Sequence, residues 1–202
     1  MMILHGGRLS PFVRRVELWL SVQQRAFDRN YASVFDPDFG GLLAINPLGR
    51  VPVLVVDDGI SLFETAAIID YLEETAPSGR RLIPGCGAPR HEVLQALALA
   101  HGIAEKTVAL VYETSRRPAD LQWSDWRERI ETQIRNGLTA LESRIGTATA
   151  PDEAIGISAT CAYDMAACKF PALTGMALPN LVGLSERANA LPAFAATHPS
   201  RA

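Results

Sequence analysis

Three short segments carry residue types that can do chemistry. Ser10 stands just before Pro11 at the start of a helical pattern, Val51-Pro52 precedes a short apolar run, and Glu64-Thr65 follow another. A helix start exposes amide N–H groups and the positive end of a dipole, so it draws anions. A hydroxyl placed there can donate a hydrogen bond to a bound thiolate and lower its pKa from ~8.5, each unit being about 1.4 kcal/mol in favour of the anion. Ser10 fits equally as a plain helix cap, since Ser is favoured at the N-cap and Pro at the first helical position. No Asp–His pair accompanies it and the G-x-S-x-G elbow is missing, so a covalent serine nucleophile is not expected.

The other two segments also read in two ways. Proline at the start of a strand is ordinary and usually trans. A cis bond would instead turn the Val51 backbone outward, free to pair with a peptide-like ligand as an added strand would. An acid and a hydroxyl at Glu64-Thr65 suit the first turn of any helix. They also suit the zwitterionic end of an amino acid, with the helix-start amides and the Thr65 hydroxyl on its carboxylate and Glu64 on its ammonium.

The elements that must position these residues fall into two periodicities. Met2–His5 reads as a strand, Pro11–Gln23 as a helix, Phe27–Val34 as a second strand and Phe39–Ile45 as a short helix ended by Asn46-Pro47-Leu48-Gly49. Val53–Val56 and Ile60–Leu62 flank Asp57-Asp58-Gly59, a strong hairpin signal. A helix follows from Glu64 to about Thr75. The order predicts an α/β domain over residues 1–77. Residues 78–89, rich in Pro and Gly, predict a linker, and residues 90–202 an all-helical domain. Its expected helices are Arg90–Tyr112, Ser124–Ile145 capped by Ser124, Ile155–Phe170 and Asn180–Asn189. The second is the clearest, with Trp126, Ile130, Ile134, Leu138, Leu141 and Ile145 at intervals of three or four.

Bulk properties exclude several classes. A net charge of −3 over 202 residues, with no concentration of Lys and Arg, leaves no basic stripe for a nucleic-acid partner. Three cysteines, Cys86, Cys161 and Cys168, make neither a disulfide framework nor a zinc motif. Cys161 and Cys168 are seven apart and are expected in the core, and Cys86 in the exposed linker. His5, His91, His101 and His198 have no ligand spacing, so no metal is expected. No run reads as a signal peptide or a membrane span, which makes the cytoplasm the expected compartment and a membrane no expected partner.

Taken together, the segments resemble the cytosolic glutathione transferases, of the bacterial, serine type. The resemblance rests on Ser10-Pro11-Phe12-Val13-Arg14-Arg15-Val16, on Asn46 through Leu54, and on Leu62 through Leu72, in that order and spacing. Val111-Tyr112-Glu113, Arg116-Arg117-Pro118 and Leu178-Pro179-Asn180-Leu181 resemble bacterial members. This implies an α/β thioredoxin-like N-terminal domain plus an all-α C-terminal helical domain, usually paired as a homodimer. It implies glutathione as co-substrate, its thiolate stabilised by Ser10 with Phe12 in the same loop. The cysteinyl part would meet the Val51 backbone beside a cis Pro52, and the γ-glutamyl end Glu64 and Thr65. Arg50, and with it Arg14, would add positive charge near the tripeptide. Tyr112 and Arg116, with Trp123, are candidates for the wall facing a small hydrophobic electrophile, although core packing suits Tyr112 and Trp123 and a solvated face suits Arg116.

The implied activity is attack of the thiolate on that electrophile. The alternatives are a non-catalytic glutathione-binding or scaffold protein, and a glutathione-dependent isomerase. The Ser-Pro-Phe loop lacks the serine- and cysteine-rich pattern of that isomerase branch. The chain departs from the family where the core helix of the second domain begins. Ala154 and Ile157 stand where a Ser/Thr cap and an Asp are usual, leaving Asp152 or Glu153 to substitute.

Overall fold

The structure, a computed structural model, describes residues 1–32, 34 and 39–201. Its contacts divide the chain into two compact units, Met1–Ile83 with Pro192–Ala202, and Pro84–Leu191.

In the first unit the strands β1 (Met2–His5), β2 (Phe27–Asn30), β3 (Val53–Val55) and β4 (Ser61–Phe63) form one sheet in the order β2-β1-β3-β4. β2 runs parallel to β1, while β3 and β4 are antiparallel to their neighbours. The Asp-Gly signal is a real hairpin turn. Gly59 has φ +83° and its amide donates to the Val56 carbonyl, which a side chain would disfavour. Helices α1 (Pro11–Val22) and α2 (Thr65–Glu74) pack on one another. They bury Val16, Trp19, Leu20, Ile68 and Leu72 with Leu4 and Leu54 of the sheet. Residues Phe39–Ala44 form a 3-10 turn. The second strand stops at Asn30, short of the predicted Val34; Ser33 lies outside the described residues.

The second unit is helical, and among the described residues every strand precedes it. It comprises α3 (Gly87–Val111), α4 (Ser124–Arg144), α5 (Ala154–Lys169), α6 (Pro171–Thr174) and α7 (Pro179–Asn189). The stripe predicted on α4 is the core stripe: Ile130, Ile134, Leu138, Leu141 and the following Ile145 are all buried. Trp126 lies outside it, partly exposed. α3 has the length and mean hydropathy of a membrane span (1.2 over its most apolar window). It is the core helix of the unit, packed against α4 and α5.

Five expectations need correction. The boundary falls between Ile83 and Pro84 rather than at Pro77, and α3 begins at Gly87, inside the expected linker. The segment from Pro192 belongs to the first unit: α8 (Pro192–Ala196) packs on α1 and buries Phe194 to 1% exposure. Ser124 is the first residue of α4, not its cap; Trp123 holds that place and no side chain caps the helix. Glu153 does precede α5 but makes no side-chain cap bond. Cys161 is buried as expected, whereas Cys168, near the end of α5, is exposed.

Candidate functional site

Strand register brings the three segments to one end of the sheet. His5 pairs with Val53, and Val53 with Phe63. The residues after His5, before Val53 and after Phe63 therefore leave the sheet side by side. These are the β1–α1 loop with Ser10, the Val51-Pro52 pair, and Glu64-Thr65. Gly6 marks the closeness of the first two. It has φ +144°, and a Cβ built there would clash with Val13 and stand 3.1 Å from Val51 Cβ.

Ser10 caps α1, accepting a 3.3 Å hydrogen bond from the Val13 amide. An accepting hydroxyl still has its own proton to donate. Cap and donor, alternatives in the sequence, are thus compatible in the structure. Phe12, the second residue of the helix, lies half-buried.

Val51-Pro52 is a cis peptide, against the ordinary trans reading of the residues and in line with the resemblance. The turn ahead of it is held by Asn46, which sequence reading passed over as a turn former. Its buried side chain accepts from the Leu48 amide (3.0 Å) and donates to the Arg50 carbonyl (2.9 Å). The Asn-Pro-Leu-Gly string carried the signal, because an Asn side chain folds back on its own turn.

Glu64 is the residue before the first helical residue of α2, and its backbone is unusual. At φ +67° and ψ 124° it occupies a region that non-glycine residues avoid, at a cost of about 1–3 kcal/mol. Its side chain makes no cap bond to the helix. It pairs instead with Arg50, Nη1 to Oε1 at 3.0 Å, both groups being well exposed. The positive charge expected of Arg50 is therefore partnered by the carboxylate expected to take an ammonium. Thr65 is only 2% exposed, so little of its hydroxyl faces solvent. The first amides of α2 need partners from outside the helix. Arg14 is buried and serves the C-terminal segment, donating to Thr197 Oγ1 (3.2 Å) and the Phe194 carbonyl (3.3 Å).

In the helical unit, Tyr112 and Arg116 bound a π-type turn that ends α3, and both are exposed. Core packing is thus not the role of Tyr112, nor of Trp123, which is 62% exposed. The turn is held by buried Glu113, which accepts from Arg117 Nε and the Trp123 amide, each at 2.9 Å. Among the described residues no group of three or more His, Cys, Asp or Glu is placed to hold a metal ion.

The chain is similar in sequence and fold to known proteins. Residues 4–81 match the family model described as the glutathione S-transferase N-terminal domain. The chain is 30% identical to the uncharacterised GST-like protein YibF of Escherichia coli (strain K12), over the whole of both chains. It is 28% identical to a probable maleylacetoacetate isomerase of Vibrio cholerae, covering 98% of this chain and 95% of that one. Among solved structures, a glutathione transferase family member from Pseudomonas fluorescens Pf-5 with bound glutathione superposes with a TM-score of 0.86. The two are 29% identical over 98% of this chain and 99% of that one.

Proposed function

Because the chain belongs to the glutathione S-transferase family, we propose that it is an active transferase that ionises glutathione at Ser10. The observation that carries this reading is the register that sets Ser10, Val51-Pro52 and Glu64-Thr65 at one end of the sheet. Glutathione lies with its γ-glutamyl end at the start of α2, where Glu64 takes the ammonium and the helix-start amides with Thr65 take the carboxylate. The Val51 backbone pairs with the cysteinyl residue. Arg50 pairs with the Glu64 carboxylate.

The thiol proton leaves to solvent, and the Ser10 O–H donates to the sulfur anion. The thiolate then attacks an electrophilic carbon, forming a C–S bond as a leaving group departs or as the adjacent carbon takes up a proton. Catalysis comes from positioning and from the lowered thiol pKa. Tyr112 and Arg116 contact the small hydrophobic electrophile, and the working form is a homodimer.

The test is the ultraviolet thiolate absorbance of bound glutathione against pH. Ser10→Ala is expected to raise the apparent thiol pKa by about one unit or more, toward the free value of ~8.5. An unchanged pKa removes Ser10 from the mechanism.

The full-length similarity to a probable maleylacetoacetate isomerase favours a second reading, glutathione-dependent cis–trans isomerisation, in which the thiolate adds and later leaves. Turnover of maleylacetoacetate without net consumption of glutathione would select it over conjugation. Retention of glutathione with neither activity across a broad electrophile panel would leave a binding or scaffold role.

A further inference from the structure

The first unit has an open-mouthed cavity of about 150 Å³ lined by Arg8 of the β1–α1 loop, by α1, by the end of β2 and by the C-terminal segment, and Ser10, Val51, Pro52, Glu64 and Thr65 are not among its lining residues. That volume is below the roughly 300 Å³ at which pockets for larger ligands begin. Four arginines line it, Arg8, Arg14, Arg29 and Arg201, and Glu17 is the one carboxylate among the lining residues. Glu17 Oε2 pairs with Arg29 Nη1 at 2.7 Å, and its burial still pushes its pKa up against the neighbouring arginines.

The guanidinium groups are held close together. Arg8 lies 4.8 Å from the centroid of the Tyr31 ring and Arg29 4.9 Å, and Arg8 Nη2 also donates to the Tyr31 hydroxyl at 3.1 Å. Cation–π contact gives back part of the cost of holding the two charges together. Among the described lining residues, Glu17 is the one carboxylate that offsets the crowding of like charge around this ring. Arg29 Nε is buried and has no hydrogen-bond partner among the described residues, although Nη2 donates to the Gly6 carbonyl at 3.3 Å. A buried guanidinium donor without an acceptor is costly, and with Nη1 on Glu17 and Nη2 on the Gly6 carbonyl the Nε–H is the donor Arg29 can offer an oxyanion.

We propose that this cavity binds a compact oxyanion, a phosphate group or a short carboxylate, between Arg8, Arg29 and Arg201, at a site separate from the one proposed for glutathione. Arg8 and Arg201 are exposed at the mouth, while Arg29 forms the floor. Tyr31 orients Arg8 and Arg29.

The probes are inorganic phosphate and succinate, titrated separately by calorimetry into the whole protein at constant ionic strength. Saturable binding of at least one is expected, and which one binds identifies the source of the oxyanion. Arg8→Gln and Arg201→Gln should each weaken it roughly five-fold or more, through loss of one charge-assisted contact. Both positions are on the surface, so both variants should keep the wild-type melting temperature. Binding should persist in saturating glutathione, and glutathione affinity should change by less than about two-fold in either variant. No saturable binding of either probe, binding indifferent to both substitutions, or displacement of the probe by glutathione would each overturn the proposal. Failure of glutathione itself to bind would overturn the proposed transferase function and leave this site standing.

Discussion

At the scale of single residues, the site shows its cost in backbone geometry. Glu64 holds φ +67° where a glycine would sit with less strain. The carboxylate therefore occupies a conformation that stability alone would assign to another residue. Two substitutions separate the two demands. Glu64→Gly should be more stable than Glu64→Ala by about 1 kcal/mol in denaturant unfolding, reversing the usual helix-start preference between those residues. Both should bind glutathione at least roughly ten-fold more weakly, since each leaves the ligand ammonium without its partner. An alanine variant as stable as the glycine variant would show that the backbone there is unstrained. A different residue-scale effect governs the acid limb of stability. Burial at the end of β1 holds the His5 imidazole below its ordinary 6.5. The unfolded chain then takes up a proton near pH 6.5 that the folded chain resists, so the His5 contribution is present above that pH and is lost as pH falls below it. His5→Gln should flatten stability between pH 6.5 and 5, measured by urea midpoints across that range. Equal slopes in the two proteins would assign the acid sensitivity elsewhere.

Elements are tied together by the buried carboxylate of Glu73, whose hydrogen-bond donors among the described residues are all neutral. Glu73, in the last turn of α2, is 6% exposed. Its Oε1 accepts from Trp19 Nε1 and Gln23 Nε2 of α1, each at 2.8 Å, and its Oε2 from the Leu82 and Ile83 amides at 3.0 and 2.8 Å. One side chain thus joins two helices to the strand of chain leaving the first unit. Glu73→Ala orphans these donors together and should cost about 3 kcal/mol or more in unfolding free energy, with Glu73→Gln costing less because one oxygen remains to accept. A loss under about 1 kcal/mol for the alanine variant would show that water takes over the bonds. Such ties explain which elements were legible in the sequence. The α4 stripe, the Asp-Gly hairpin and the Ser-Pro helix start are local patterns, and each appears where its spacing placed it. The start of α7 is not local. Its Asn180 and Leu181 amides donate, at 2.8 Å each, to the carboxylate of Glu142 on α4, so the cap comes from 38 and 39 residues away. No neighbouring residue could announce it. Likewise Ser124 has the type of a cap and is not one, because the helix extends one residue further back than its hydroxyl requires.

At the scale of the whole molecule, the sequence showed two halves and misplaced the last segment. Composition changes near Pro77, but contacts change at Ile83, where Glu73 holds the chain, and change again at Leu191. The return from Pro192 onward could not be seen in a pattern, because its anchors are long-range. Arg14 reads as a surface or ligand-side cation beside Ser10. In the fold it is 3% exposed and its partners are Thr197 and the Phe194 carbonyl, about 180 residues on. The meeting of the three segments was legible because each is short and they keep their order, so that sheet register alone brings them to one end. The C-terminal return has a consequence that can be measured. Phe194 is fully buried on a helix that packs against α1, the helix that Ser10 caps. Phe194→Ala should cost about 3–5 kcal/mol, as large aromatic deletions in a packed core do. Native-state hydrogen exchange locates the loss: α1 amides should lose protection before those of α4 and α5, because the vacated contact lies in the first unit. Loss confined to α4 and α5, with α1 unchanged, would put the last segment back with the helical unit to which its position in the sequence assigned it.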